Sequence, residues 1–186
     1  MKTYCYYIIE QIIHKWYVMI AGRKTKVSLW RRVAHDWSKF TPTEIAGYSN
    51  WLYGDSGAVA ATEAWHHHLL HNDHHPEHWI VVWRGDSEGW EKVAQNTFVL
   101  PMPKNVVREF IADMMASSKY HTGSYDIASW LAQNHLAMRL HSETVDHIHD
   151  IMIDDLGYFL TDNCPFSFMA CDDFRIWDKQ TITFEK

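Results

Sequence analysis

The chain has 186 residues, a formal net charge of −6, and 47% apolar and 22% charged side chains. That length favours one domain with a substantial core, and the composition is that of a soluble globular protein. Acidic balance speaks against nucleic acid: the best basic cluster, Arg23-Lys24-Thr25-Lys26 with Arg31-Arg32, is short and reads as a solvated loop and helix start. No run of eighteen apolar residues is present, so no membrane span is expected. The N-terminus lacks the pattern of a signal peptide. Three cysteines, Cys5, Cys164 and Cys171, without CxxC spacing fit a reducing cytoplasm and argue against a thiolate zinc site.

In chain order, Tyr4, Tyr7, Ile8 and Ile12 predict a helix over about 4–20, ended by Gly22 and carrying His14. A second helix is expected over about 27–37, with Leu29, Trp30, Val33, Ala34 and Trp37 as its apolar stripe and His35-Asp36 in its last turn. Thr41-Pro42-Thr43-Glu44 reads as a helix start, Thr41 capping and Glu44 completing a capping box; the helix runs to about Tyr53. The next helix, from about Val59, runs into Ala64–Trp79, AWHHHLLHNDHHPEHW.

Seven of the fourteen histidines fall between His66 and His78. Packing explains that density poorly, because imidazole is costly to bury without partners and is the commonest metal ligand among side chains. A helix through His71 would put His67 and His71 on one face, with His68 above Ala64; Asn72-Asp73 breaks it, and His74-His75 before Pro76 is extended. Residues 80–83 and 97–100 are β-prone, and the segment between about 80 and 100 reads as a small hairpin or an irregular lid. A helix over about 104–117 carries Asp113 in an apolar context, where a lone carboxylate needs a cation or hydrogen-bond donors. Ser124 can cap a helix over 125–140, and Ser142 another reaching Leu156 and ending at Gly157. Its Asp146, Asp150 and Asp154 read as a solvated acidic stripe, and residues 180–184 as a short strand.

The order His14, His35-Asp36, two histidine clusters, then Asp113 resembles the HD-domain superfamily of metal-dependent phosphohydrolases. His35-Asp36-Trp37-Ser38-Lys39 is similar to the HDxxK form of its motif, and Arg108–Met115 to its last helix. In wording the chain also resembles an uncharacterised family of phage and bacterial genomes, through His35–Phe40, Ala64–Trp79 and Met102–Asp113. The resemblance implies an all-α fold, a single HD-like domain over 1–186 with its metal-site core at about 10–140 and C-terminal helices and tail at 141–186. It implies one or two divalent transition metals; imidazole and carboxylate without thiolate suit Mn, Fe, Co, Ni or Zn.

The ligands implied are His14, His35, Asp36, His67, His74 and Asp113, with His68 and His75 as alternatives. Asp36 would bridge two metals or orient water, and Lys39 would hold a phosphate oxygen. His71, His78 and Asn72 would support or protonate the leaving group, Arg108 would contact phosphate, and Trp37, Trp65 and Trp79 could wall a pocket and stack on a base, with core packing the expected role for most of them. The expected activity is hydrolysis of a nucleotide or related phosphate ester, in a cytoplasmic protein with a homo-oligomer allowed. A non-catalytic, metal-containing nucleotide binder and a di-iron oxygenase of the HD type are the alternatives.

Overall fold

Helix α5 (Lys104–Thr122) is the axis on which the other elements are laid. The structure, a computed structural model, describes residues 2–54, 58–82, 97–134 and 138–158. Within them α1 (Lys2–Lys24) packs along α5 and against α3 (Pro42–Tyr53). α3 pairs closely with α4 (Ala58–His71). α2 (Leu29–Ala34), α6 (Ile127–Asn134) and α7 (Ser142–Asp150) complete the helices, and α7 continues as one wider π-type turn over Ile151–Asp155. Strands β1 (Ile80–Val82) and β2 (Thr97–Val99) form an antiparallel pair, with Ile80 opposite Val99. The fold is mostly helical with a short hairpin, as the sequence predicts. The strand expected at 180–184 lies outside the described residues. Among the described residues no helix is long and apolar enough to cross a membrane.

The main apolar core lies where α5 meets α6 and α7. Phe110, Ile111, Ile127, Leu131, Ile148 and Ile151 are each nearly or wholly buried there. α5 ends at Gly123 (φ 78°), a left-handed position that glycine takes without strain. The predicted end at Ser117 falls short by a turn because Ser118 stays buried, its Oγ donating to the Asp126 carbonyl at 2.8 Å.

Four local expectations are corrected. α1 runs through Gly22 to Lys24, and its buried side is Tyr7, Val18 and Ala21 while Ile12 is 55% exposed. Gly22 serves packing instead: a Cβ there would lie 2.6 Å from the Arg32 side chain. α2 ends at Ala34, and its expected apolar stripe is exposed, Trp30 by 77%. It is held by Arg31, which reaches Glu109 on α5 and Asp73. Thr41 does not cap α3; its hydroxyl donates back to the Ser38 carbonyl at 2.7 Å, which leaves Glu44 free for another task. Ser142 is the first residue of α7 rather than its cap, and His141 Nδ1 accepts from the Glu143 N–H at 3.2 Å.

Gly47 sets the α3–α4 spacing. A Cβ at this position would sit 2.6 Å from both the Ala60 carbonyl oxygen and the Ala64 Cβ. Gly47→Ala is therefore expected to destabilise the protein by about 1–3 kcal/mol, despite alanine's better helix propensity. Urea unfolding would check this; a gain in stability would show that the helices are free to separate.

Candidate metal centre

The centre is assembled from five pieces of chain that meet between α1, α4 and α5. α1 offers His14, one turn before the buried Val18. Helix α5 offers Glu109 and Asp113, four residues apart and so on one face. α4 offers the buried line Ala64–His68, continued by Asn72. The segment before Pro76 offers His74 and His75, the latter extended at φ −85°, ψ 131°. The link between α2 and α3 offers His35, Asp36 and Lys39.

That link is the decisive local structure. α2 stops at Ala34, His35 is extended, and Asp36 takes a left-handed conformation at φ 53°, ψ 28°. Side chains adjacent on a helix diverge by about 100°; this reversal instead brings His35 Nε2 to 3.2 Å from Asp36 Oδ2. A 3-10 turn over Trp37–Phe40 then brings Lys39 Nζ to 2.7 Å from the same oxygen. Lys15 donates to the His35 carbonyl and ties the reversal to α1.

Three groups of side chains among the described residues could each hold a metal ion: His35, His74 and Glu109, and two larger groups that share Asp36. One of these two is His14, His35, Asp36 and Asp113; the other is Asp36, His68, His74 and His75. The carboxylate divides its oxygens between them. Oδ2 faces His35 Nε2 at 3.2 Å and His14 Nε2 at 3.9 Å. Oδ1 faces His74 Nε2 at 3.4 Å and His68 Nε2 at 3.5 Å. Asp113 Oδ1 completes the first group, 2.7 Å from His14 Nε2 and 3.6 Å from His35 Nε2. His75 Nε2 lies 2.8 Å from His68 Nε2 in the second. Ligand atoms about 2.1 Å from a shared ion stand roughly 3–3.4 Å apart, so these separations suit a coordination shell.

Orphaned atoms give an independent test of fit. His14 Nε2, His35 Nε2, His74 Nε2 and both oxygens of Asp36 are buried without an aligned hydrogen bond. Two of them have an ion-pair partner: Asp36 Oδ2 lies 2.7 Å from Lys39 Nζ and His14 Nε2 lies 2.7 Å from Asp113 Oδ1. Such atoms gathered around one carboxylate would cost free energy in an ordinary core. A cation in each cluster would remove that cost.

The outward nitrogens, by contrast, are satisfied. Glu109 Oε1 lies 2.9 Å from His35 Nδ1 and 3.6 Å from His74 Nδ1. Glu44, fully buried, holds His68 Nδ1 at 2.9 Å and His67 Nδ1 at 2.7 Å. A carboxylate on Nδ1 fixes the tautomer that leaves Nε2 as a lone-pair donor toward the centre. Ser38 and Asn72 add to this frame: Asn72 Nδ2 donates to Ser38 Oγ at 2.7 Å and to the His68 carbonyl at 2.8 Å. Glu109→Gln is expected to weaken metal binding about 10–100-fold while the fold survives. Calorimetric titration would measure it; unchanged affinity would reduce Glu109 to a packing role.

Protonation follows the same layout. Burial works against charge on Asp36, but His35 and Lys39 outweigh it and hold the carboxyl well below its usual range. Asp113 is likewise held low against burial by His14 and His35. His35 is pushed well above the ordinary imidazole value, the charge of Asp36 overcoming burial. Burial and the neighbouring His74 press His75 well below it. Two carboxylates and a neutral imidazole in one buried pocket are suited to cations.

Of the residues singled out in the sequence, His14, His35, Asp36, His74 and Asp113 are brought together, as are the alternatives His68 and His75. His67 is not among them. The α4 register turns it to Glu44 and to a stack with His71, ring centroids 4.2 Å apart, so His68 takes the inward position. His71 Nδ1 bonds the His67 carbonyl at 2.7 Å and His78 Nδ1 the Leu69 carbonyl at 2.7 Å; both line a separate cavity of about 360 Å³ that also reaches His35 and His74. Trp79 is spent on packing and on a 2.6 Å bond from Nε1 to the Asp73 carbonyl. Arg108 pairs with Asp155 at 3.2 Å and takes no part in the centre. Glu44 and Glu109 are the residues that the sequence reading passed over.

These helices and their carboxylate-linked histidine clusters define a mostly helical protein with a buried centre that could hold metal. The chain belongs to DUF5662, a family of unknown function, whose model matches residues 3–154 and so spans every residue of the centre. No curated protein and no solved structure matches the chain.

Proposed function

We propose that the protein is a metal-dependent phosphohydrolase acting on a nucleotide or related phosphate ester, with one or two divalent transition metals such as Mn, Fe, Co, Ni or Zn. The observation that carries this reading is the divided carboxylate of Asp36, each oxygen facing its own histidine cluster. Bound divalent cations would lower the pKa of water and brace the attacking and leaving oxygens of a phosphoryl group. The order of the ligands, with Lys39 beside the HD pair, supports kinship with the HD superfamily.

The chain's own contributions follow from position. His14, His35 and Asp113 would hold one cation, His68, His74 and His75 the other, and Asp36 would join them. Lys39, at the edge of the cluster, would grip a phosphate oxygen as a compact point charge. Glu44 and Glu109 keep the imidazoles aimed inward. Water would attack phosphorus, the P–O ester bond would break, and the alcohol would leave with a proton beside inorganic phosphate.

The test is elemental analysis of untagged full-length protein, then a phosphate-release screen with the metal found. Copurified transition metal, and release that a chelator stops and the metal restores, is the expected result. Metal-free protein whose melting temperature ignores added Mn or Fe, and which releases no phosphate, would overturn the reading.

A further inference from the structure

A cavity of about 560 Å³ opens beside the second cluster, between α1, α3 and α4. Lys39, His68 and His75 line it where it meets the centre. Its walls are more apolar: Tyr48, Trp51 and Leu52 from α3, and Ala61 and Trp65 from α4, with Gln11 from α1 the one side-chain amide among its described lining residues. Lys39 is the one Lys or Arg among its described lining residues. The Thr62 hydroxyl is already given to the Ala58 carbonyl at 2.8 Å. The Tyr7 hydroxyl is different: Tyr7 lines the cavity, is 1% exposed, and its oxygen has no hydrogen-bond partner among the described residues.

We infer that this cavity takes the organic half of the substrate, and that the substrate is a phosphate monoester with one flat aromatic body, a nucleoside monophosphate or simpler aryl phosphate rather than a polyphosphate or a sugar phosphate. The inference rests on the phosphohydrolase reading and narrows it. One lysine beside the centre suits a single phosphate, whereas a triphosphate would place further charge against tryptophan and leucine. A bare sugar would leave several hydroxyls facing the same walls with few partners. Aromatic rings gain from stacking on tryptophan and tyrosine. The unpaired Tyr7 hydroxyl would donate to an ester or phosphate oxygen near the centre. The volume suits the ligand: pockets for small molecules span about 300–1,000 Å³.

The test uses metal-loaded full-length protein and non-hydrolysable probes, read by quenching of tryptophan fluorescence and by calorimetry. Naphthylmethylphosphonate is expected to bind about tenfold or more tighter than methylphosphonate. Ala61→Phe, which puts a ring into the cavity wall, is expected to erase that preference; Trp51→Ala, at an exposed position, should reduce it severalfold. The phosphonate analogue of adenosine monophosphate should outcompete both a methylene-bridged analogue of adenosine triphosphate and the phosphonate analogue of ribose 5-phosphate. Equal affinity for the aryl and methyl probes, or an aryl preference that survives Ala61→Phe, would overturn the cavity assignment whatever the release assay gives. Tight aryl binding by a protein that hydrolyses no ester would uphold the cavity and overturn the hydrolase.

Discussion

Asp36→Asn is expected to abolish phosphate release and to empty both clusters, the largest loss that any single substitution should produce. Asparagine keeps the shape of the side chain and tolerates the left-handed backbone at φ 53°. What it removes is the charge that faces His14 and His35 through one oxygen and His68 and His74 through the other. Loss of a few kcal/mol of charge stabilisation corresponds to roughly 10²–10³-fold in rate. Metal content should fall from the one or two equivalents proposed to a small fraction of that. Elemental analysis beside a phosphate assay reads both effects, and circular dichroism confirms that the helices remain. Full metal content in the variant would mean that Asp36 is not the link between the clusters.

Metal removal is expected to lower the melting temperature, and by more at pH 8 than at pH 6. A ligand at about 100 times its Kd stabilises the native state by about 2.7 kcal/mol. For a chain of this size that is roughly 5–10 °C. The pH dependence comes from protons that replace the cations. His35 is raised well above about 6.5 in the folded protein, so its contribution to the metal-free state is full below that value and is lost as pH rises through the folded pKa. Asp36 and Asp113 are held low, so their contribution is full above about 3.9 and is lost as pH falls through their folded values. His75 and His14 are instead pressed low by burial, so the stability of their neutral forms is lost as pH falls below about 6.5, and metal-free protein should be most stable in a narrow window near pH 6.5. Above that window the metal must do what the proton on His35 did, and the chelator costs more. Thermal scans in chelator across pH would check this; a melting temperature at pH 8 indifferent to verified metal loss would sink it.

The fold was legible where local chemistry decides. Pro42 at the start of α3 and the extended His75 before Pro76 followed from backbone restrictions, and the short two-stranded sheet from β-prone residues, none of which tertiary context opposed. The centre was legible in part, because buried histidines and Asp113 are costly unless partnered. Glu44 and Glu109 were not legible. Glu44 satisfied a capping-box pattern three residues after Thr41, and that local reading hid its long-range task on His67 and His68. Glu109 had a signal, its four-residue spacing from Asp113, but one that many solvated helices share. The choice of His68 over His67 was also within reach. Ala64 faces Gly47 where α3 and α4 nearly touch, and the residue four places on must point to the same side.

The left-handed backbone at Asp36 bears on which sequences can carry this centre. Position 36 must accept a positive φ, which favours glycine, asparagine and aspartate. It must also present two anionic oxygens at short reach, which only aspartate among those three supplies. Glutamate keeps the charge but loses the backbone; asparagine and glycine keep the backbone but lose the charge. In a saturation library selected for activity, codon 36 should return aspartate alone. Neighbouring Trp37, 61% exposed, should drift freely.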